Sequence, residues 1–201
     1  MTQKRGPWAL HSRITRFENP WLRLDDFAVT RPDGKPGEYG VVHFKNTAIA
    51  ILPVFDDGTT VLVGQHRFPH DRYSWEVPEG GGRLEEDPLE EARRELAEET
   101  GLRARHWQDM LRIDLSNSVS DESAIGFIAT GLSQGEPDPE GTEELRIRRL
   151  HFCDAVDDAV SGKISDALSV AILLKAHYMA SNGLLDQALC AAMLNRGKSG
   201  D

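Results

Sequence analysis

Only two cysteines, Cys153 and Cys190, occur among the 201 residues. They are too few and too far apart for a zinc site or a disulfide framework, so free buried thiols are expected. Long apolar runs are also missing: nothing approaches the roughly 20 consecutive apolar residues that cross a bilayer, which argues against a membrane partner. The opening stretch MTQKRGPWALHSRITRF has a basic start but no apolar segment of signal-peptide length, and a cytoplasmic location is the expectation. Positive charge is in deficit. Against 33 Asp and Glu stand 23 Lys and Arg, a net charge of -10 at pH 7, and a surface short of cations does not hold a nucleic-acid backbone. A single phosphate-bearing small molecule is still compatible with that charge, provided a divalent metal stands between carboxylate and phosphate.

The rest is ordinary for a globular chain: 39% hydrophobic and 28% charged residues, with no internal repeat. Its length suits one domain with a small extension, or two small domains. From Leu10 to Phe44 the segments HSRITRF, WLRLDDFAVTR and EYGVVHF, with a PDGKPG turn, predict a small antiparallel sheet. TAIAILPVF and TTVLVGQHRF, joined at Asp56 to Gly58, predict a hairpin of two buried strands. HWQDMLRIDL, SAIGFIATGL and LRIRRLHF are further strand candidates, the last preceded by a turn-rich loop at Glu136 to Gly141. Beyond Cys153 the pattern is helical, through SDALSVAILLKAHYMA and LLDQALCAAML. Strands on both sides of one central helix, followed by C-terminal helices, predict an α+β domain with a mixed sheet packed between helices.

That central helix is marked at both ends. Asp87 is a candidate N-cap, Pro88 suits the first helical position and Glu90 a capping-box partner, while Gly101 can close the helix in the left-handed conformation. About fourteen residues lie between. Leu89, Ala92, Leu96 and Thr100 form a stripe for the core, and Glu91, Glu95, Glu98 and Glu99 share the adjacent face. Like charges at this spacing repel, and Arg93 and Arg94 answer only part of the repulsion. A solvated acidic face is the plain reading. The preceding VPEGGGRLEE offers another: three glycines let backbone carbonyls approach a cation held by the helix, and Mg²⁺ takes oxygen ligands of this kind.

The run from Gly80 to Leu102 resembles the signature of the Nudix hydrolases, G-x5-E-x7-R-E-U-x-E-E-x-G-U with U apolar. Gly80, Glu86, Arg94, Glu95, Leu96, Glu98, Glu99, Gly101 and Leu102 match every specified position. The flanks, VLVGQHRFPHDRYSWEVPEGG and EELRIRRLHF followed by GKISDALSVAILL, are similar to the ADP-ribose pyrophosphatase branch, and the resemblance runs from about Trp21 to Leu174. It implies a Nudix fold, an α/β/α sandwich spanning 45–201, with an N-terminal β extension over 1–44 through which a homodimer forms. The implied reaction is metal-dependent hydrolysis of the pyrophosphate of a nucleoside diphosphate sugar, ADP-ribose first. Mg²⁺ is the implied cofactor and Mn²⁺ a substitute.

By the same resemblance the metal ligands are the backbone carbonyl of Glu79 and the carboxylates of Glu95 and Glu99, with Glu98 assisting. The catalytic residues are Glu143 as base, with its neighbour Glu144 a rival one residue away, and Glu98, which counts as both catalytic and metal-assisting. Arg67 would touch substrate phosphate, with Gly80 beside it, and Glu86, Arg94 and Gly101 shape the motif. Plainer alternatives stay open: a surface ion pair for Arg67, a structural hydrogen bond for Glu76, structural roles for His66 and His70, and a solvated turn for Asp121 and Glu122. The branch's proline beyond the motif is replaced around Asn117 and Ser118, which leaves GDP-mannose, a dinucleotide coenzyme or another diphosphate as alternative substrates. From another class, a non-catalytic nucleotide-sugar sensor would use the same fold.

Overall fold

The structure, a computed structural model, describes residues 3–136 and 144–196. The described residues divide into two compact units: one reaches to Thr47 and includes Asp114–Ser123, and the other holds the rest, with strands that begin or end at this boundary assigned below to the unit that holds most of each.

The first unit is a four-stranded antiparallel sheet of β1 (Gln3–Arg5), β2 (Trp8–Glu18), β3 (Leu22–Thr30) and β4 (Pro36–Phe44), in that spatial order. The expected turn is present between β3 and β4, with Gly34 at φ 80 and its amide donating to the Arg31 carbonyl; β1 was not legible. The sheet has a small apolar cluster of its own: Leu10, Phe27 and Val29 are buried, with Trp8, Tyr39 and Val41 packed on them. The loop at 114–123 is fastened to β4. Val42 donates its amide to Val119 O and accepts from the Asp121 amide, and the Tyr39 hydroxyl donates to Ser118 O.

The second unit contains β5 (Asn46–Pro53), β6 (Thr59–Arg67), β7 (Arg72–Glu76), β8 (Glu79–Arg83), α1 (Pro88–Thr100), β9 (Leu102–Asp114), β10 (Ser123–Gln134), β11 (Arg146–His151), α2 (Phe152–Val160), α3 (Ala167–Ser181) and α4 (Gln187–Leu194). The expected β5–β6 hairpin is not formed. The two strands share one bridge, Val54 with Thr60, and then enter different sheets: β5 lies between β8 and β10, and β6 between β11 and β7. Burial explains the separation. Ile49, Ala50, Ile51 and Leu52 are all 0% exposed, so both faces of β5 are covered, as in an interior strand, and its partner β10 runs parallel to it.

The ends of α1 follow the sequence. Asp87 accepts from the Leu89 amide, Pro88 opens the helix, and Gly101 closes it at φ 71. The capping box is not completed, because Glu90 accepts from Arg93 instead. Ala92 and Leu96 pack on Ile49, Ile51, Val61, Leu102, Phe127 and Ala129. Neighbouring Gly126 points to the other face of β10, where an added Cβ would stand 3.0 Å from Ile172 of α3. One mixed sheet therefore lies between α1 and α3, the expected α/β/α arrangement, although a second sheet was not foreseen. Among the described residues, no helix is long and apolar enough to cross a membrane.

Candidate active site

The three glycines before α1 lie in strand β8 and not in a loop. Their use is close approach. A Cβ at Gly80 would collide with the Glu95 carboxylate, and one at Gly82 would meet Ile49 at 2.9 Å and Glu91 at 3.3 Å; without side chains, the strand lies directly against the helix. The backbone amide of Glu79 then donates to Glu99 Oε2 at 3.1 Å. The structure thus brings together four of the expected residues, Glu79, Gly80, Glu95 and Glu99.

The acidic face is not solvated. Glu91, Glu95 and Glu99 are at most 8% exposed, and ionised carboxylates are kept at that depth only with partners. Arg94 supplies many of the contacts: it donates to Glu91 at 2.8 Å, Glu95 at 2.6 Å, Glu98 at 2.6 Å and the Gly81 carbonyl at 3.4 Å. Arg93 pairs with exposed Glu90. Glu86 is exposed at the turn before the helix, where its amide donates to the Arg83 carbonyl and its carboxylate stands 3.9 Å from the Arg83 guanidinium.

A second charged group is built from separate strands. Arg67, at the end of β6, donates through Nε and Nη2 to both oxygens of Glu76 at the end of β7, and through Nη2 to Glu79 Oε1 at 2.7 Å. Asp166, the N-cap of α3, completes an acidic triad: one oxygen each from Glu76, Glu79 and Asp166 lies within 4.8 Å of the others. Burial, then the charges of Asp166 and Glu76, push the Glu79 carboxyl well above the usual range, against the pull of Arg67. Asp166 was not anticipated, since 87 residues separate it from Glu79 and no spacing signals the contact.

The remaining candidates are dispersed. His66 is exposed beside Asp71, and His70 is exposed. Asp121 holds the loop of the first unit, accepting from the Phe44 amide at 2.9 Å and sitting 2.5 Å from His43 Nδ1. Glu122 is partly buried, and burial pushes its carboxyl up. Glu143 lies outside the described residues, and Glu144 is exposed just before β11.

The model of the NUDIX domain matches residues 45–165, more than half of the chain. The chain belongs to the Nudix family. This Nudix hydrolase is 34% identical over 142 residues to an ADP-ribose pyrophosphatase of Mycobacterium tuberculosis, covering 68% of this chain and 67% of that one. It is 32% identical over 141 residues to an ADP-ribose pyrophosphatase of Bacillus subtilis, covering 69% and 76%. A CMP-5'-(N-acetyl-N-hydroxy-3-aminopropyl)phosphonate hydrolase of Streptomyces rubellomurinus is 29% identical over 157 residues, covering 78% and 75%. In fold, a solved ADP compounds hydrolase superposes with a TM-score of 0.79 at 18% identity, over 92% of this chain and 99% of that one.

Nudix hydrolases generally need a divalent metal. The donor set fits one: the Glu95 carboxylate fills the space a Cβ on Gly80 would take, and Glu99 touches the Glu79 main chain. The carboxylate oxygens of Glu95 and Glu99 both reach β8 there, and such hard oxygens are what a divalent cation takes.

Proposed function

We propose that this Nudix hydrolase cleaves the pyrophosphate bond of a nucleoside diphosphate sugar, with ADP-ribose giving AMP and ribose 5-phosphate. The observation that carries the reading is the contact of β8 with α1, which gathers the Glu79 main chain, Gly80, Glu95 and Glu99. Its substrate class follows the two ADP-ribose pyrophosphatases that resemble most of the chain. The Glu79 carbonyl, Glu95 and Glu99 would hold Mg²⁺, or Mn²⁺ in its place, with Glu98 assisting. When bound, such an ion neutralises phosphate oxygens and lowers the pKa of a water. Arg67 orients the anionic diphosphate, and Glu143 takes the proton as water attacks phosphorus and the bridging P–O bond breaks.

Residues 1–44 are the proposed dimerisation segment and 45–201 the hydrolase domain. Supporting this, Ile14, Phe17 and Trp21 are 53%, 53% and 67% exposed on the first unit, and large exposed apolar side chains suit an isologous contact. A second reading, another nucleoside diphosphate derivative such as GDP-mannose, draws on the loop at Asn117 and Ser118 and on the relative that hydrolyses a CMP-phosphonate.

The deciding experiment is turnover of a panel of nucleotide sugars with Mg²⁺ and with chelator. ADP-ribose is expected to lead and chelator to abolish activity; no turnover of any diphosphate at saturating Mg²⁺ would leave a sensor. For the base, Glu143→Gln is expected to lower kcat about 10²-fold with little change in KM, and Glu144→Gln only a few-fold. The reverse ranking would move the base to Glu144.

A further inference from the structure

Arg67 and Glu76 are not cross-strand neighbours. In the β6–β7 ladder Arg67 stands opposite Arg72, and Glu76 opposite Val63, so the two share a face of the sheet but lie four residues apart along it. To meet Glu76, the Arg67 side chain must run back along the ladder in an extended form, which costs rotamer freedom. What holds it is a side-on fork: Glu76 engages Nε and Nη2, and Glu79 a further hydrogen on Nη2. A guanidinium has five N–H donors in fixed directions, and Nε and Nη2 make the contacts with Glu76 and Glu79, which leaves the two Nη1 hydrogens for another partner.

Exposure follows the same division. Side-chain exposure is 4% for Glu76 and 14% for Glu79, but 34% for Arg67. Glu76 and Glu79 are therefore more hidden than the arginine they hold, and the third carboxylate of the group, Asp166, is half-buried beside them. Glu79 also ties this group to the candidate metal oxygens, since its amide donates to Glu99. A purely structural ion pair does not need the extended arginine or its place beside the ligand set.

We propose that Glu76 is a positioning residue: it presets the Arg67 guanidinium so that its Nη1 edge receives a diphosphate bound beside Glu95 and Glu99. This rests on the diphosphate hydrolase reading and adds to it the residue that orients the phosphate contact. Arginine gives directional, two-point recognition of phosphate only when its plane is fixed.

The test uses inorganic pyrophosphate, which carries the P–O–P group common to every substrate considered, with binding followed by calorimetry at fixed Mg²⁺. Arg67→Ala and Glu76→Gln are each expected to weaken binding about tenfold, the size of a charge-assisted hydrogen bond. The double variant is expected to bind within about twofold of Arg67→Ala, because Glu76 acts through the arginine. In turnover the same changes raise KM more than they lower kcat. Arg67→Lys keeps the charge without the fork and is expected to bind as poorly as Arg67→Ala; it also serves if Glu76→Gln fails to fold. The proposal is overturned if Glu76→Gln melts earlier yet binds pyrophosphate normally, if the two losses multiply, or if Arg67→Lys binds like wild type. Variants that show this pattern while wild-type protein leaves ADP-ribose intact would remove the substrate reading and keep Glu76 in its role. Turnover of ADP-ribose with pyrophosphate binding unmoved in both single variants would do the opposite.

Discussion

Arg94 and Arg67 have nearly the same side-chain exposure, 32% and 34%, and each donates to several carboxylates. The difference is where those carboxylates originate. Glu91 and Glu98 stand three residues before Arg94 and four after it on the same helix, and Glu95 is adjacent. Any helix through this segment would make most of those contacts, because i,i+3 and i,i+4 side chains are neighbours. Glu76 and Glu79 reach Arg67 from two other strands, and Asp166 joins from the cap of a distant helix. The first cluster stabilises an element that already exists. The second exists only once two sheets and α3 have been assembled.

The largest test of that contrast is the helix itself. Glu99→Gln keeps the shape of the side chain but removes a proposed metal ligand, and kcat is expected to fall by at least about 10²-fold with the protein still folded. Wild-type turnover of that variant at saturating Mg²⁺ would place the metal elsewhere, with the Glu76, Glu79 and Asp166 group the next place to look.

Arg94→Ala sharpens the comparison through stability. It leaves buried Glu91 and Glu95 without a principal cation, and a cost of about 2–3 kcal/mol, after discounting for partial exposure, corresponds to about 4–12 °C in Tm. Because Glu95 also belongs to the proposed metal site, added Mg²⁺ should raise the Tm of this variant more than that of wild type, by preferential binding to the folded state. Calorimetric scans with and without Mg²⁺ would measure both effects. An equal Mg²⁺ response would mean that Arg94 and the metal do not share carboxylates.

The smallest effect concerns a pair outside the site. Asp158 accepts from Lys163 at 2.9 Å and Arg148 at 3.1 Å. The hydrogen bond from Lys163, against a cost from burial, holds its carboxyl below the usual range. A depressed carboxyl pKa contributes stability that is present above the unfolded value near 4 and lost as pH falls through the folded value. Asp158→Asn should lower Tm by about 2–4 °C at pH 7 and by less at pH 3. A Tm difference that is constant between those pH values would assign the loss to packing.

Legibility followed the range of the interactions. The start, stop and buried stripe of α1 could be read from Asp87, Pro88, Leu96 and Gly101, because caps and periodicity are local. The capping box failed at Glu90, since Arg93 three residues on offered a charged partner. The β5–β6 hairpin failed for the opposite reason. A turn at Asp56 to Gly58 says that the chain reverses; the choice of ladder partners belongs to strands far along the chain, and β10 took β5. Similarly, a solvated turn was open for Asp121, while in the structure it fastens its loop to His43 and Phe44.

The sequence by itself determined the helix that carries Glu91, Glu95, Glu98 and Glu99, the arginine that answers three of them, the glycines before it and the Nudix family to which they belong. Those features depend on neighbours within four residues or on a contiguous motif. Only the tertiary structure decided that β8 lies flat on α1, with Gly80 yielding its side-chain volume to Glu95 and the Glu79 amide reaching Glu99. It alone decided that Arg67 is clamped by Glu76 and Glu79 beside Asp166. The physical reason is that hydrogen bonds and buried charge are satisfied by whatever the packed chain brings within about 3 Å, and separation along the sequence does not encode that distance.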